Sequence, residues 1–326
     1  MNGTRVVAIV AWFWFSAAGV ARPDDNAGID DPSHLPDNRP FLMVLGTAQD
    51  AGYPQAACRK SCCSEAWKNI ELRQGTACLA IVSSDRKMRW LIDCTPNFPD
   101  QLKMLDRKAP VEARAPGLSG IFLTHGHIGH YSGLIHLGRE VMGARSVPVY
   151  AMPRMNSFLK TNGPWSLLVK LENIELRALK SGTPTELTKS LQVTPLQVPH
   201  RDEFTETVGF IIRGPNRRVL YLPDIDKWSR WDRRIEDVLA QVDLAYLDGT
   251  FYANGEIPGR DMSQIPHPFI EESMKRLASL PDKERAKVRF IHLNHTNPAL
   301  QPTSAASRTI RERGFGIART GDTLSL

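Results

Sequence analysis

The sequence predicts an α/β (α+β) fold in which two β-sheets pack face to face and helices cover their outer sides. Three observations predict it. Short apolar runs of strand length recur from residue 41 to the C-terminus. Amphipathic stretches of helical period fall between them. The early part is mainly β and the later part alternates with helices, which suits two packed sheets better than one doubly wound parallel sheet.

Taken in order, residues 41–45 (Phe-Leu-Met-Val-Leu) form the first strand, stopped by a turn rich in small residues, Gly46-Thr-Ala-Gln-Asp-Ala-Gly52. Strands follow at 78–83 and 90–93, separated by the polar break Ser83-Ser84-Asp85. Pro99 at its start and Leu102 and Leu105 along one face mark a helix over 98–105. A strand at 120–124 leads into a helix over 132–142, and a strand at 147–151 into a helix over 154–161. Strands at 193–198, 208–213 and 218–222 carry the β-branched and aromatic residues that favour them. A helix over 231–241, a strand at 244–247, a helix over 268–280 and a strand at 288–293 come next. A helix over 303–313 and strands at 316–319 and 323–326 complete the chain.

Composition excludes several classes. The 326 residues are 42% hydrophobic and 23% charged, which rules out wholesale disorder and collagen-like repeats. The net charge of +6 is dispersed, with basic residues paired at most and interleaved with acids, so no nucleic-acid face is expected. Arg5, the apolar stretch to Val20 and the small residues before Arg22-Pro23 read as a signal peptide over residues 1–21, cleaved after Ala21. Its alternative is a retained anchor, the one route to a membrane. Residues 22–40, with five Asp and four Pro, read as a flexible leader. One domain over 41–326 follows, in an exported protein, periplasmic or secreted.

The chemistry concentrates at Thr124-His125-Gly126-His127-Ile128-Gly129-His130. Three imidazoles within six residues, at a strand end and separated by glycines, can aim at one point, and imidazole suits zinc and iron. A single histidine would read as a core or surface residue; three so spaced read as metal ligands.

These residues resemble the His-x-His-x-Asp-His hallmark of the metallo-β-lactamase-fold metallohydrolase superfamily. Its later elements follow in order: His200 after the run 193–199, Asp224 closing the strand 218–222, and His292 closing 288–291. The resemblance spans residue 41 to the C-terminus and implies a four-layer αββα metallo-β-lactamase-like sandwich with metals at one edge. Within the superfamily the chain is most similar to the pyrroloquinoline-quinone biosynthesis protein B-like group. The carriers are Leu45-Gly-Thr-Ala-Gln-Asp-Ala-Gly-Tyr-Pro-Gln55 with its cysteine cluster, Leu91-Ile-Asp-Cys-Thr-Pro96, and Ile291-His-Leu-Asn-His-Thr-Asn-Pro298. By matched position, His125, His127 and His200 hold one ion, and His130, Asp224 and His292 a second, with Asp224 bridging. The implied cofactor is zinc, as one or two ions, with iron or manganese as alternatives.

Gly129 stands where the family places an Asp. The lost carboxylate is expected to weaken the second ion, and Gly129→Asp to strengthen it, unless Asp50 or Asp226 fills the gap. Asp50 otherwise reads as a turn residue and Asp226 as a helix cap or a partner of Lys227 or Arg230. Asp93 reads as a partner for a liganding imidazole or a strand-end acid. Asp224, Asp50 and His295 are the catalytic candidates: Asp224 to orient the attacking water, His295 to protonate a leaving group. His267 reads as a pocket or cap residue. Cys58, Cys62 and Cys63 either hold a structural zinc with an outside ligand or form a disulfide.

The expected activity is metal-dependent hydrolysis of an ester, with phosphodiesters leading because the group's phosphodiesterases share the arrangement Ile291–His295. The substrate is expected to be a small molecule. The alternatives are a quinone-biosynthesis-like redox protein using iron and a non-catalytic metal-dependent binding protein.

Overall fold

The computed structural model describes residues 38–112 and 114–326. The expected signal peptide and the expected leader up to residue 37 lie outside the described residues. Among the described residues no helix is long and apolar enough to cross a membrane.

The first half of the chain supplies strands β1 (Phe41–Gly46), β2 (Cys78–Val82), β3 (Arg89–Ile92), β4 (Gly120–Phe122), β5 (Val147–Ala151) and β6 (Ile174–Ala178). The second half supplies β7 (Thr185–Thr188), β8 (Leu191–Val198), β9 (Thr207–Arg213), β10 (Arg218–Leu222), β11 (Leu244–Asp248), β12 (Val288–Ile291) and β13 (Gly316–Ile317). The last strand, β14 (Thr323–Ser325), returns to pair with β1. Two seven-stranded sheets result, ordered β14-β1-β2-β3-β4-β5-β6 and β13-β12-β11-β10-β9-β8-β7.

Each sheet repeats one scheme. The pairings from β14 to β3 are antiparallel and those from β3 to β6 parallel. In the other sheet, β7 to β10 pair antiparallel and β10 to β13 parallel. Successive side chains point to opposite faces, so Leu42 and Val44 enter the layer between the sheets while Phe41, Met43 and Leu45 meet the helices outside. Both faces are therefore apolar, which is why β1 has no polar alternation. The inner layer joins Leu79, Ile81, Trp90 and Phe122 of one sheet to Phe210, Tyr221 and Tyr246 of the other.

The helix Phe98–Lys108 starts with Pro99 in its first turn and buries Phe98, Leu102 and Leu105. The helices Ile270–Arg276 and Ala305–Glu312 bury Ile270, Met274 and Ile310 against the second sheet. This is the four-layer αββα arrangement. The helix expected over 132–142 is instead one α-turn, Ile128–Tyr131, followed by a 3₁₀ segment, Ser132–Leu137, capped at Gly138. Parallel strands leave side chains at their carboxyl ends facing a common edge. Asp93, His125, Asp224, Asp248 and His292 all lie at or just past such ends.

Candidate metal centre

The structure brings His125, His127, His130, His200, Asp224 and His292 to one edge of the sandwich, together with Asp50. Two donor sets form, each with its atoms within 4.8 Å of one another: His125, His127, His200 and Asp224, and beside them Asp50, His130 and His292. Asp224 stands between them. Its Oδ2 lies 3.4 Å from His125 Nε2, 3.4 Å from His130 Nε2 and 3.5 Å from His292 Nε2, and its Oδ1 lies 3.5 Å from His200 Nε2.

Each imidazole presents one nitrogen to the centre and has its other nitrogen against a fixed partner, the arrangement that sets tautomer and ring angle in metal sites. His125 Nδ1 bonds Thr124 Oγ1 at 3.0 Å. His127 Nε2 bonds Glu203 at 3.1 Å, leaving Nδ1 to face His125 Nε2 at 2.9 Å. His130 Nδ1 bonds Asp93 at 2.7 Å. His200 Nδ1 faces Asp226 Oδ1 at 3.3 Å. His292 Nδ1 bonds Thr250 Oγ1 at 3.0 Å, and Thr250 is itself held by Asp248. Asp93 and His292 both have left-handed backbone, with φ of 69° and 64°. Non-glycine residues hold that conformation at a cost that surrounding structure must offset, commonly at functional sites.

The inward-facing atoms lack partners. His130 Nε2, His200 Nε2, His292 Nε2, Asp50 Oδ1 and Asp224 Oδ1 are shielded from solvent and make no hydrogen bond. Five such atoms at one point are costly unless a cation receives them. An ion about 2.0–2.1 Å from each nitrogen would space its ligands roughly 3.3 Å apart, close to the separations observed. The donor set therefore fits divalent metal.

The carboxylates dominate the electrostatics of this edge. Burial would push His130 down, but Asp93, Asp224 and Asp50 outweigh it and hold the ring well above the ordinary range. Burial and the neighbouring His130 depress His125. Burial would raise Asp224, yet His200, His292 and His267 hold it well below the usual carboxylate range. Asp50 is also lowered: burial opposes ionisation, and the close approach and charge of His130 override it. The protein thus keeps carboxylates ionised at this edge and places positive charge opposite them.

Several sequence expectations change here. The second donor set was expected to hold only His130, Asp224 and His292; Asp50 joins it, its Oδ1 3.3 Å from His130 Nε2. Gly129 explains how. A Cβ built at position 129 would lie closer than 3.0 Å to Oδ1, Cα and Cβ of Asp50. The carboxylate absent from the helix is returned from the end of β1, into space that only glycine leaves. Asp226 does not fill the gap; it backs His200 and pairs with Arg230 at 2.9 Å.

His295, expected to protonate a leaving group, belongs elsewhere. Its Nδ1 lies 3.3 Å from Cys63 Sγ and 3.7 Å from Cys62 Sγ, and Cys58 Sγ is 3.7 Å from Cys62 Sγ. A tetrahedral zinc has S···S edges of about 3.7 Å and S···N edges of about 3.5 Å, given its bond lengths. The three thiols are unpaired rather than bridged, and with His295 they match that tetrahedron.

His267, Glu203 and Thr250 were not anticipated in these roles. His267 Nδ1 sits 2.8 Å from Asp248 and 3.2 Å from Asp224 Oδ1. Burial works against its charge, but the two carboxylates raise it to about 9, so it is a cation at neutral pH. The turn Asp248-Gly-Thr250 is what anchors both His267 and His292. Trp228 and Trp231 are buried in the core between the second sheet and its helices.

Comparison with known proteins places this architecture. Residues 88–323 match the beta-lactamase superfamily domain. The chain is 26% identical over 305 residues to the coenzyme PQQ synthesis protein B of Methylorubrum extorquens (strain PA1), covering 87% of this chain and 99% of that one. Its fold is similar to the crystal structure of Zn(2+)-bound PqqB from Methylobacterium extorquens, with a TM-score of 0.73 at 24% identity, over 88% of this chain and 100% of that one. It is also similar to a diphosphatase from the PhnP family, with a TM-score of 0.59 at 21% identity, over 88% of this chain and 99% of that one. The two-sheet sandwich, the edge that gathers the histidines and the match over most of the length make this chain a member of the beta-lactamase superfamily, similar within it to the PQQ synthesis protein B group.

Proposed function

We propose that the chain is a metal-dependent hydrolase acting on an ester of a small molecule, with phosphodiesters the leading substrates and zinc the leading metal. The observation that carries this reading is the set of unpartnered lone pairs converging at one edge, each imidazole braced from behind. His125, His127, His200 and Asp224 would hold one ion, and Asp50, His130 and His292, with Asp224 shared, a second. Bound divalent metal supplies Lewis acidity, polarising the ester and lowering the pKa of a water from about 15.7 to about 7. Asp224, buried between the two donor sets, would orient the attacking water. The His267 cation beside Asp224 keeps this carboxylate ionised and fixes its rotation. Asp93, Asp226, Glu203 and Thr250 hold the ring planes, so no ligand reorients during turnover. With His295 among the thiols, the leaving group takes its proton from solvent water.

Cys58, Cys62, Cys63 and His295 fit a structural zinc that ties the segment after β1 to the loop after β12. Residues 1–21 are proposed to export the protein to the periplasm or beyond. An intact Met1 on protein from the native host would overturn that part.

The test is protein purified without added metal, analysed for metal content, then assayed before and after reconstitution with zinc, manganese and iron. Substrates are bis(4-nitrophenyl) phosphate, 4-nitrophenyl acetate and a lactone. Hydrolysis that tracks metal content and is lost in Asp224→Ala is expected. Turnover that survives complete chelation, or none with any metal, overturns the reading. The second reading is redox chemistry at iron in the same ligands. Oxygen consumption by the iron-loaded protein distinguishes it.

A further inference from the structure

Arg201 follows His200 directly, and its guanidinium reaches back over the centre. Nη2 lies 3.3 Å from His127 Nδ1, the nitrogen that faces His125 Nε2. A guanidinium can only donate, so Arg201 uses the lone pair that an ion would claim. With that lone pair claimed, its N–H groups remain beside the centre and need another acceptor. Glu203 does not supply one, since Arg201 Nε is 3.9 Å from Glu203 Oε1, beyond hydrogen-bond reach. The Arg201 side chain is 46% exposed, so an incoming molecule can reach it.

The loop that carries Arg201 is fastened on both sides. The Asp202 carbonyl accepts from Arg154 at 3.0 Å, and its carboxylate accepts from Thr207 at 3.3 Å. Thr205 Oγ1 accepts from the Gly126 amide at 2.8 Å, tying this loop to the one that bears His125 and His127. A loop held this way delivers a side chain with little ordering cost on binding. Beside it, Phe204 is 58% exposed although its ring stands 5.8 Å from Phe158, the edge of an aromatic group with Tyr131 and Trp165. Its Cβ would lie 3.5 Å from a Cβ at Gly126, which sets it over the histidine loop.

We propose that Arg201 and Phe204 form a substrate subsite for an anionic phosphoester bearing a flat apolar group. The guanidinium receives a phosphoryl oxygen next to the scissile bond, in the geometry that suits arginine to phosphate. The Phe204 face receives the apolar substituent. This deepens the hydrolase reading and rests on the same centre, but it concerns binding and can be tested without turnover.

The experiment is calorimetric titration of metal-loaded protein with inorganic phosphate and with phenyl phosphate, for wild type, Arg201→Ala, Arg201→Lys and Phe204→Ala, with metal counted in each. Losing a charge-assisted contact should weaken both ligands by about 10- to 100-fold in Arg201→Ala, with Arg201→Lys recovering part. Phe204→Ala should weaken phenyl phosphate about three- to tenfold and leave phosphate alone. Phosphate bound as tightly by Arg201→Ala as by wild type overturns the proposal. So does loss of metal in Arg201→Ala, which would assign the residue to holding His127. If wild type hydrolyses no ester yet binds phosphate through Arg201, the hydrolase reading falls and the subsite stands.

Discussion

Gly129→Asp separates two opposite outcomes. By comparison with the superfamily hallmark, restoring the carboxylate should tighten the second ion. The structure reverses that sign. Any Cβ at 129 falls closer than 3.0 Å to Oδ1, Cα and Cβ of Asp50, whereas ordinary contacts begin at 3.4 Å. A carboxylate end can rotate away, but a Cα cannot, so the backbone at Asp50 or the turn at Gly129 must shift by half an ångström or more. Overpacking of this kind costs about 1–3 kcal/mol. At roughly 2–4 °C per kcal/mol for a large domain, Tm of the metal-free protein should fall by about 2–12 °C. The second ion suffers as well, because oxygen ligands bind within about 2.0–2.2 Å and the same shift carries Asp50 out of reach. Loss of about 1–3 kcal/mol there weakens affinity roughly 5- to 150-fold. Zinc titration against a chromophoric chelator and thermal melts of the metal-free protein measure both effects. Gly129→Ala should melt early too, since the Cβ is what collides. Adding Asp50→Gly to Gly129→Asp should recover only part, because the Cα of residue 50 remains. A Gly129→Asp variant with unchanged Tm and an equal or tighter second ion would refute this reasoning.

Asp50→Asn should drop the stoichiometry by one ion while His125, His127 and His200 keep theirs; unchanged metal content by mass spectrometry would return Asp50 to the role of a turn residue. Cys63→Ser should release a zinc not needed for hydrolysis and raise hydrogen exchange across Ser61–Lys68, and an unaltered zinc count would exclude the thiol site. Glu256 is raised from 4.5 to about 7 by burial, against hydrogen bonds from Thr296 and the Tyr252 amide. The folded protein therefore keeps this proton at pH values where the unfolded chain has lost it, and stability declines as pH rises from about 4.5 to about 7. Glu256→Gln has no such proton, so its stability relative to wild type should improve by the order of 1–3 kcal/mol between pH 4.5 and pH 8; urea curves that stay parallel would contradict it.

The sequence revealed the apolar strands, and it concealed the two partly exposed edge strands. β6 (Ile-Glu-Leu-Arg-Ala) and β7 (Thr-Glu-Leu-Thr) end the two sheets, so solvent replaces one neighbour and the apolar run disappears. The helix Ser61–Lys68 buries only Cys63 and Ala66, too little to imprint a period. At the centre, the three clustered histidines were legible because their spacing is local. His200, Asp224 and His292 were legible through strand ends and resemblance. Glu203 behind His127 and Thr250 behind His292 were not, since those pairs lie 76 and 42 residues apart and either residue alone is unremarked. The glycine at 129 signalled a missing acid, but only the fold shows that the glycine and Asp50 are one arrangement.

The two sheets share their donors unequally in time. A chain leaving the ribosome presents His125, His127, His200 and Asp224 once β10 has emerged, so the first donor set is complete with about a third of the sequence still to come. The second set waits for His292, which pairs into place only after β11 has received β12. The residues that could hold one ion are therefore all present in a growing chain well before those that could hold a second, and a chain ending between β11 and β12 would offer the first donor set alone.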